Sequence, residues 1–269
     1  MIYIKRLIFL SFIVSSCQSI GQLKIESRIA NELKEVSAAE ISTDSDIIWV
    51  IQDAGNDNNL IGLDKNGHIA RNISISNAKN KDWEDLTSDS QGNIYIGDFG
   101  NNNKKRETFK IYKINHNDLN ESSTIAEVIE FTLPKNQKTE DFESFFIYNN
   151  AFYIFSKENK KFVVLKVKNS EGKHVAEVHC EYKFDGKNNK ITSADISGNG
   201  ETIILLNHDK LWKITNFEHD DFFSGDITEV AFGHDSQKEG ICFKTNSTII
   251  ITDERKNSEG GYIYSFNLN

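Results

Sequence analysis

Short apolar stretches recur along the whole chain, separated by clusters of Gly, Asn, Asp and Ser, the residues that turns favour. One series occupies residues 47–51, 59–63 and 69–75, and a second occupies 94–97, 108–114 and 126–133. A third covers 151–155, 162–167 and 175–184, and a fourth covers 202–206, 210–214 and 226–232. Residues 248–251 and 261–267 form a shorter fifth series. No segment shows a helical period of useful length, so the pattern predicts strands throughout.

Each series is preceded by an acidic residue at the head of one more apolar run. The copies read Ala39-Glu40-Ile41, Glu84-Asp85-Leu86, Glu143-Ser144-Phe145, Ala194-Asp195-Ile196 and Glu239-Gly240-Ile241. Self-similarity at a period of tens of residues, filled with short strands, predicts an all-β chain folded as a β-propeller. The count favours five four-stranded blades; six is the alternative if two degenerate repeats have merged. The acids at 40, 84, 143, 195 and 239 are 44, 59, 52 and 44 residues apart, and the longer gaps match insertions such as 115–124. The last repeat lacks a fourth strand, while a spare strand at 23–29 precedes the first. Pairing the two closes the ring and removes the open edges. With one proline, Pro134, and no Gly-, Pro- or Ser-rich linker, residues 23–269 are expected to form a single domain.

Residues 1–16 carry Lys5 and Arg6, an apolar run at 7–14, and then small residues, the layout of a secretory signal. Val14-Ser15-Ser16-Cys17 resembles the bacterial lipobox, which implies lipidation at Cys17 and a short tether over 17–22. An ordinary cleaved signal is the alternative. The apolar run falls short of the ~20 residues needed to span a bilayer. Gln18-Ser19-Ile20-Gly21 lacks the acidic cluster that accompanies surface export, which points to a periplasm-facing anchor in the cell envelope. Removal of 1–16 moves the net charge from −9 to −11, which disfavours nucleic acid as a partner. Cys180 and Cys242 fall at different places in non-adjacent repeats, so a disulfide between them is not expected and buried thiols are.

The innermost strand of a propeller blade lies nearest the axis, and its start shares a face with the end of the second strand. That face is expected to collect Glu40, Glu84, Asp85, Glu143, Asp195 and Glu239, with Asp53, Asp98, Lys157, Glu158, His208, Asp209, Asp253, Glu254 and Arg255 from the second strands. Glu84, Glu143 and Glu239 share one register, while Glu40, Asp85 and Asp195 sit one residue later. Side chains alternate along a strand, so the two groups can point differently. Carboxylates converging in a channel repel one another and must take up protons, pair with Lys or Arg, or bind a cation. An all-oxygen set suits Ca²⁺ or Mg²⁺ rather than zinc, Ca²⁺ tolerating irregular geometry best, with Glu84, Glu143 and Glu239 as candidate ligands. Alternatively, each acid accepts backbone N–H groups and pins neighbouring blades together.

Asp53-Ala54-Gly55-Asn56 and Asp98-Phe99-Gly100-Asn101 are near copies in equivalent loops, either ligand-binding or self-contained Asx-type turns. Trp83 is placed either to stack on a planar ligand or to pack. No nucleophile elbow, phosphate-binding glycine loop, zinc-type histidine pair or cysteine pair is present in the sequence.

Asp82-Trp83-Glu84-Asp85-Leu86, followed by Gly92-Asn93-Ile94-Tyr95-Ile96-Gly97-Asp98-Phe99-Gly100-Asn101-Asn102, resembles the secreted propellers of the phytase-like and SdiA-regulated type found in Bacteroidetes. Lys238-Glu239-Gly240-Ile241 is similar to their Glu-Gly-Leu/Ile blade openings. The resemblance implies Ca²⁺ and, in phytase-like members, phosphoester hydrolysis. Such hydrolysis also requires phosphate-binding cations, and only Lys157, Arg255 and Lys238 are suitably placed. The first expectation is therefore a lipid-anchored envelope protein that binds a small molecule or an envelope protein on an acid-lined face. The alternatives are a metal-dependent hydrolase of phosphoesters or lactones, and a structural subunit of an envelope complex.

Overall fold

The computed structural model describes residues 19–20, 22–43, 45–256 and 259–269, so the lipobox reading at Cys17 lies outside the described residues. Five sheets of four or five strands are arranged in a ring as a β-propeller. The innermost strands are Val36–Glu40, Trp83–Ser88, Phe142–Tyr148, Ser193–Ile196 and Lys238–Thr245. Within each blade the remaining strands follow outward in antiparallel order. The described residues contain no α-helix, only short 3₁₀ turns at His116–Asp118 and Phe222–Ser224.

Closure occurs as the unpaired strand at the head of the chain requires. Leu23–Arg28 pairs antiparallel with Tyr262–Asn267 and becomes the outer strand of blade five. Three blades carry a fifth strand that the apolar pattern did not mark. Ser19–Ile20 adds to blade five, Ser123–Thr124 runs parallel to blade one, and Gly172–Val175 runs parallel to blade two. The last two lie between the third and fourth strands of the next blade, so each insertion covers the outer edge of the blade before it.

Five apolar clusters hold the ring, one at each blade junction. Strand alternation makes this possible. In Thr202–Leu206, Ile203 and Leu205 face blade three, whereas Ile204 and Leu206 face blade five. Phe145 and Phe146 likewise divide between the junctions with blades two and four. Strands buried on both faces need consecutive apolar residues, which is why Ala151–Ser156 is buried throughout. Across the closure, Cys242, Ile250 and Ile263 pack against Val36, Ile48 and Leu63. Cys242 is buried and Cys180 half-buried, and both are free thiols. Trp83 is fully buried, its ring 6.1 Å from that of Tyr112, and is a packing aromatic.

Candidate functional site: the acidic mouth of the channel

The innermost strands of blades two, three and five each open with a β-bulge. Pairing steps from Trp83 to Asp85, from Phe142 to Ser144 and from Lys238 to Gly240, leaving one extra residue each time. That residue is Glu84, Glu143 or Glu239. A bulge bends its strand and re-aims the side chain it carries. Residues immediately beyond the second strands join the same mouth: Asp53 follows Ile48–Gln52, Lys157 follows Ala151–Ser156, and Glu254 follows Thr248–Asp253.

The geometry here is crowded with negative charge. Asp53, Asp82 and Glu84 each offer a carboxylate oxygen within 4.8 Å of the other two. Lys157 Nζ lies 2.6 Å from Glu143 Oε2, and its positive charge is also felt by Glu84 and Glu239. His208 Nε2 is 3.1 Å from Glu239 Oε1. Burial raises the proton affinity of these acids and their neighbours add to it. Asp82 is pushed up to about 6 by burial and by Asp53, with Arg106 opposing. Glu84 is pushed well above the carboxylate range by burial, then by Glu143, Asp53 and Asp82. Burial carries Glu143 to about 8 despite the adjacent Lys157, and carries Glu254 to about 7 with help from Glu239. Burial holds Lys157 back, but Glu239, Glu143 and Glu84 outweigh it and keep the amine firmly protonated.

Gly100 makes room for this set. A Cβ at Gly100 would collide with Glu84 Oε1 and with the Asp82 carboxylate. Asp82 is the residue the sequence reading passed over. Its signal was its place just before the bulge, opposite a glycine loop.

The remaining candidates lie elsewhere. Asp85 is fully buried at mid-channel, where Oδ1 accepts Leu86 N and Ser193 Oγ (3.0 and 2.8 Å) and Oδ2 accepts Phe145 N and Ala194 N (3.1 and 3.2 Å). It ties blade two to blades three and four, as the blade-pinning alternative anticipates. Burial pushes its carboxyl up against the pull of those donors. Asp195 Oδ2 accepts Phe243 N at 2.7 Å and binds blade four to blade five. Asp195 pairs with Ile204 and Glu40 with Trp49, so both sit beyond Asp85 toward the opposite mouth. The expectation that Glu40, Asp85 and Asp195 share one level does not match this placement. Blade four carries no bulge, so its residues run ahead in register.

Four further candidates are engaged within the fold. Asp98 is fully buried and bound by Arg106 Nη1 at 2.9 Å. Asp253 is fully buried and accepts Tyr262 N and the Tyr264 hydroxyl at 2.7 and 2.9 Å. Arg255 Nη2 donates to Ile29 O at 2.6 Å across the ring closure. Lys238 is fully buried and donates to His208 O, His234 O and Ser236 Oγ.

No protein-family model matches the chain, and no curated protein matches it in sequence. Solved structures do match in fold. The PQQ-bound aldose sugar dehydrogenase of Streptomyces coelicolor superposes with a TM-score of 0.53 at 8% identity, over 94% of this chain and 99% of that one. A gluconolactonase from Xanthomonas campestris superposes with a TM-score of 0.53 at 7% identity, over 92% of this chain and 89% of that one. At such identities the likeness is one of β-propeller fold.

Proposed function

We propose that this chain is a cell-envelope lipoprotein, tethered through Cys17 and facing the periplasm, whose acidic mouth binds its ligand through a divalent cation. The observation that carries this reading is the convergence of Asp53, Asp82 and Glu84 within 4.8 Å, with no ion pair to any of the three among the described residues. Three carboxylates so placed must share protons or hold a cation. Their oxygens, the absence of thiol or imidazole among them, and the irregular bulged backbone fit Ca²⁺, which takes about six to eight oxygen ligands in flexible geometry. The phytase-like resemblance at Asp82–Leu86 points the same way. When bound, the ion supplies positive charge and coordination positions for ligand oxygens. Lys157, held by Glu143, stands beside it to meet a negative or carbonyl oxygen. Calorimetric titration of metal-free protein with Ca²⁺ and Mg²⁺ tests the reading. Heat of binding and a raised melting temperature are expected in the parent chain, and both should vanish in Glu84→Gln. A silent titration of the parent chain ends the proposal.

A second reading, hydrolysis of a lactone, is favoured by Glu143. Burial raises its carboxyl against the pull of Lys157, so at the same mouth it takes up a proton more readily than an exposed glutamate does. Water attacking a lactone carbonyl breaks the acyl–oxygen bond, and the departing ring oxygen needs a proton, which such an acid supplies. The gluconolactonase among the fold neighbours carries a lactone-directed name, though at 7% identity it lends fold alone. Phosphoesters fit less well, because Lys238 and Arg255 are committed to backbone carbonyls. A lactone panel with Glu143→Gln decides: activity lost in the variant supports this reading, and inactivity of the parent chain removes it.

A further inference from the structure

The opposite end of the channel opens into a second cavity, of about 850 Å³, which the acidic mouth does not share. It lies where the innermost strands end, at Glu40, Ser88, Tyr148 and Ile196 and beside Lys244, the penultimate residue of the fifth, with turn residues forming the rim. The volume falls within the range of small-molecule sites.

The lining is rich in hydroxyl and amide groups. Ser42 and Thr87 are each only 2% exposed and line the cavity, yet neither hydroxyl has a hydrogen-bond partner within the chain among the described residues. Both hydroxyls border the cavity, where a bound group or water can pair with them. The exposed side-chain amides of Asn149 and Asn150, at the turn ending blade three's first strand, have no hydrogen-bond partner among the described residues and stand at the rim. On the floor, Glu40 is 4% and Asp195 7% exposed, each already accepting a neighbouring backbone N–H (Ile41 and Ile196, at 2.8 and 2.7 Å). Hydroxyls and amides both donate and accept, a set that suits a ligand bearing many hydroxyl groups. Tyr148 and Ile147 give one wall an apolar surface. Anionic ligands are disfavoured, since Asp46 and Asp89 line the cavity, with the buried acids Glu40 and Asp195 on its floor, against the cation Lys244.

We propose that this cavity is a second binding site, separate from the acidic mouth, for a neutral polyhydroxylated ligand of the saccharide class. The ligand's hydroxyls pair with Ser42, Thr87 and the Asn149–Asn150 amides, and a sugar face rests against Tyr148. Occupation of this site does not depend on a cation at the other end of the channel.

The test is calorimetric or saturation-transfer titration of the full chain with glucose, galactose, N-acetylglucosamine and their linear trimers, in EDTA and in Ca²⁺. Binding of at least one probe is expected in both conditions. Thr87→Val and Ser42→Ala, near-isosteric changes checked by melting temperature, should each weaken it roughly tenfold, the equivalent of one lost hydrogen bond. Spermidine serves as the cationic counter-probe. The proposal is overturned if no saccharide binds, if both folded variants bind as tightly as the parent, or if spermidine binds and the sugars do not. Binding that disappears in EDTA would also overturn it, by transferring the ligand to the acidic mouth.

Discussion

Two loops of nearly the same sequence meet different fates in adjacent blades. Asp98-Phe99-Gly100-Asn101 is captured: Arg106 donates to Asp98 Oδ1, Asp98 O and Gly100 O, and Asn101 Oδ1 accepts Lys105 N and Arg106 N. Asp53-Ala54-Gly55-Asn56 has no such arginine. The Asp53 carbonyl accepts the Asn56 and Asn80 side-chain amides, but among the described residues its carboxylate accepts only Ala54 N, and burial raises that carboxyl, with Glu239 and Glu35 adding to it. The glycines differ too. Gly55 adopts φ +87° with open space around it, whereas Gly100 is needed because Glu84 and Asp82 press against it. One copy has become structural support, and the other has kept an uncompensated carboxylate at the channel mouth. A shared motif therefore specifies a turn, and the neighbouring charge decides what the turn does.

The sharpest way to break the contrast is Arg106→Met, which strands the buried Asp98 carboxylate and is expected to cost about 3–5 kcal/mol in chemical denaturation. Next in size is Gly100→Ala, whose added methyl displaces Glu84 and Asp82. A loss of about 1–3 kcal/mol is expected, together with loss of Ca²⁺ binding by calorimetry. Gly55→Ala, by contrast, strains only a left-handed backbone, for about 1–2 kcal/mol, and keeps the cation. Asp53→Asn should change stability by less than about 1 kcal/mol, because it removes repulsion rather than a partner. Its effect is on the ion, with Ca²⁺ affinity falling at least about tenfold.

The smallest effect is on pH dependence. Asp82 titrates at about 6 in the fold against 3.8 ordinarily, so the folded chain holds the proton more tightly than the unfolded one. Its stabilising contribution is full below 3.8 and is lost as pH rises through about 6. Glu254, at about 7 against 4.5, extends the decline upward. Melting temperatures of metal-free protein should fall across this window, and excess Ca²⁺ should flatten the fall. A metal-free profile that rises with pH there would contradict the assignment.

Strand positions and ring closure were legible because strands buried at two junctions leave unbroken apolar runs, and because an unpaired strand at each end demands a partner. The Glu84, Glu143 and Glu239 register was legible for the same reason: the three share one local construction. Register in blade four was not, since the missing bulge shifts Asp195 past Asp85 and nothing in Ala194-Asp195-Ile196 announces it. Nor could Asp98 and Asp253 be told from ligand residues, because their partners Arg106, Tyr262 and Tyr264 are set by loop and cross-strand geometry. Asp82 escaped notice because it lies outside the strand and is aimed by Gly100.

If Asp53, Asp82 and Glu84 hold a cation, the ion and protons compete for the same carboxylates. Ca²⁺ titration near pH 6 in buffers of different ionisation enthalpy measures this directly. Net proton release on binding is predicted, reduced in Asp53→Asn and smaller again as the pH is raised. Ca²⁺ binding that releases no protons at this pH would contradict the account.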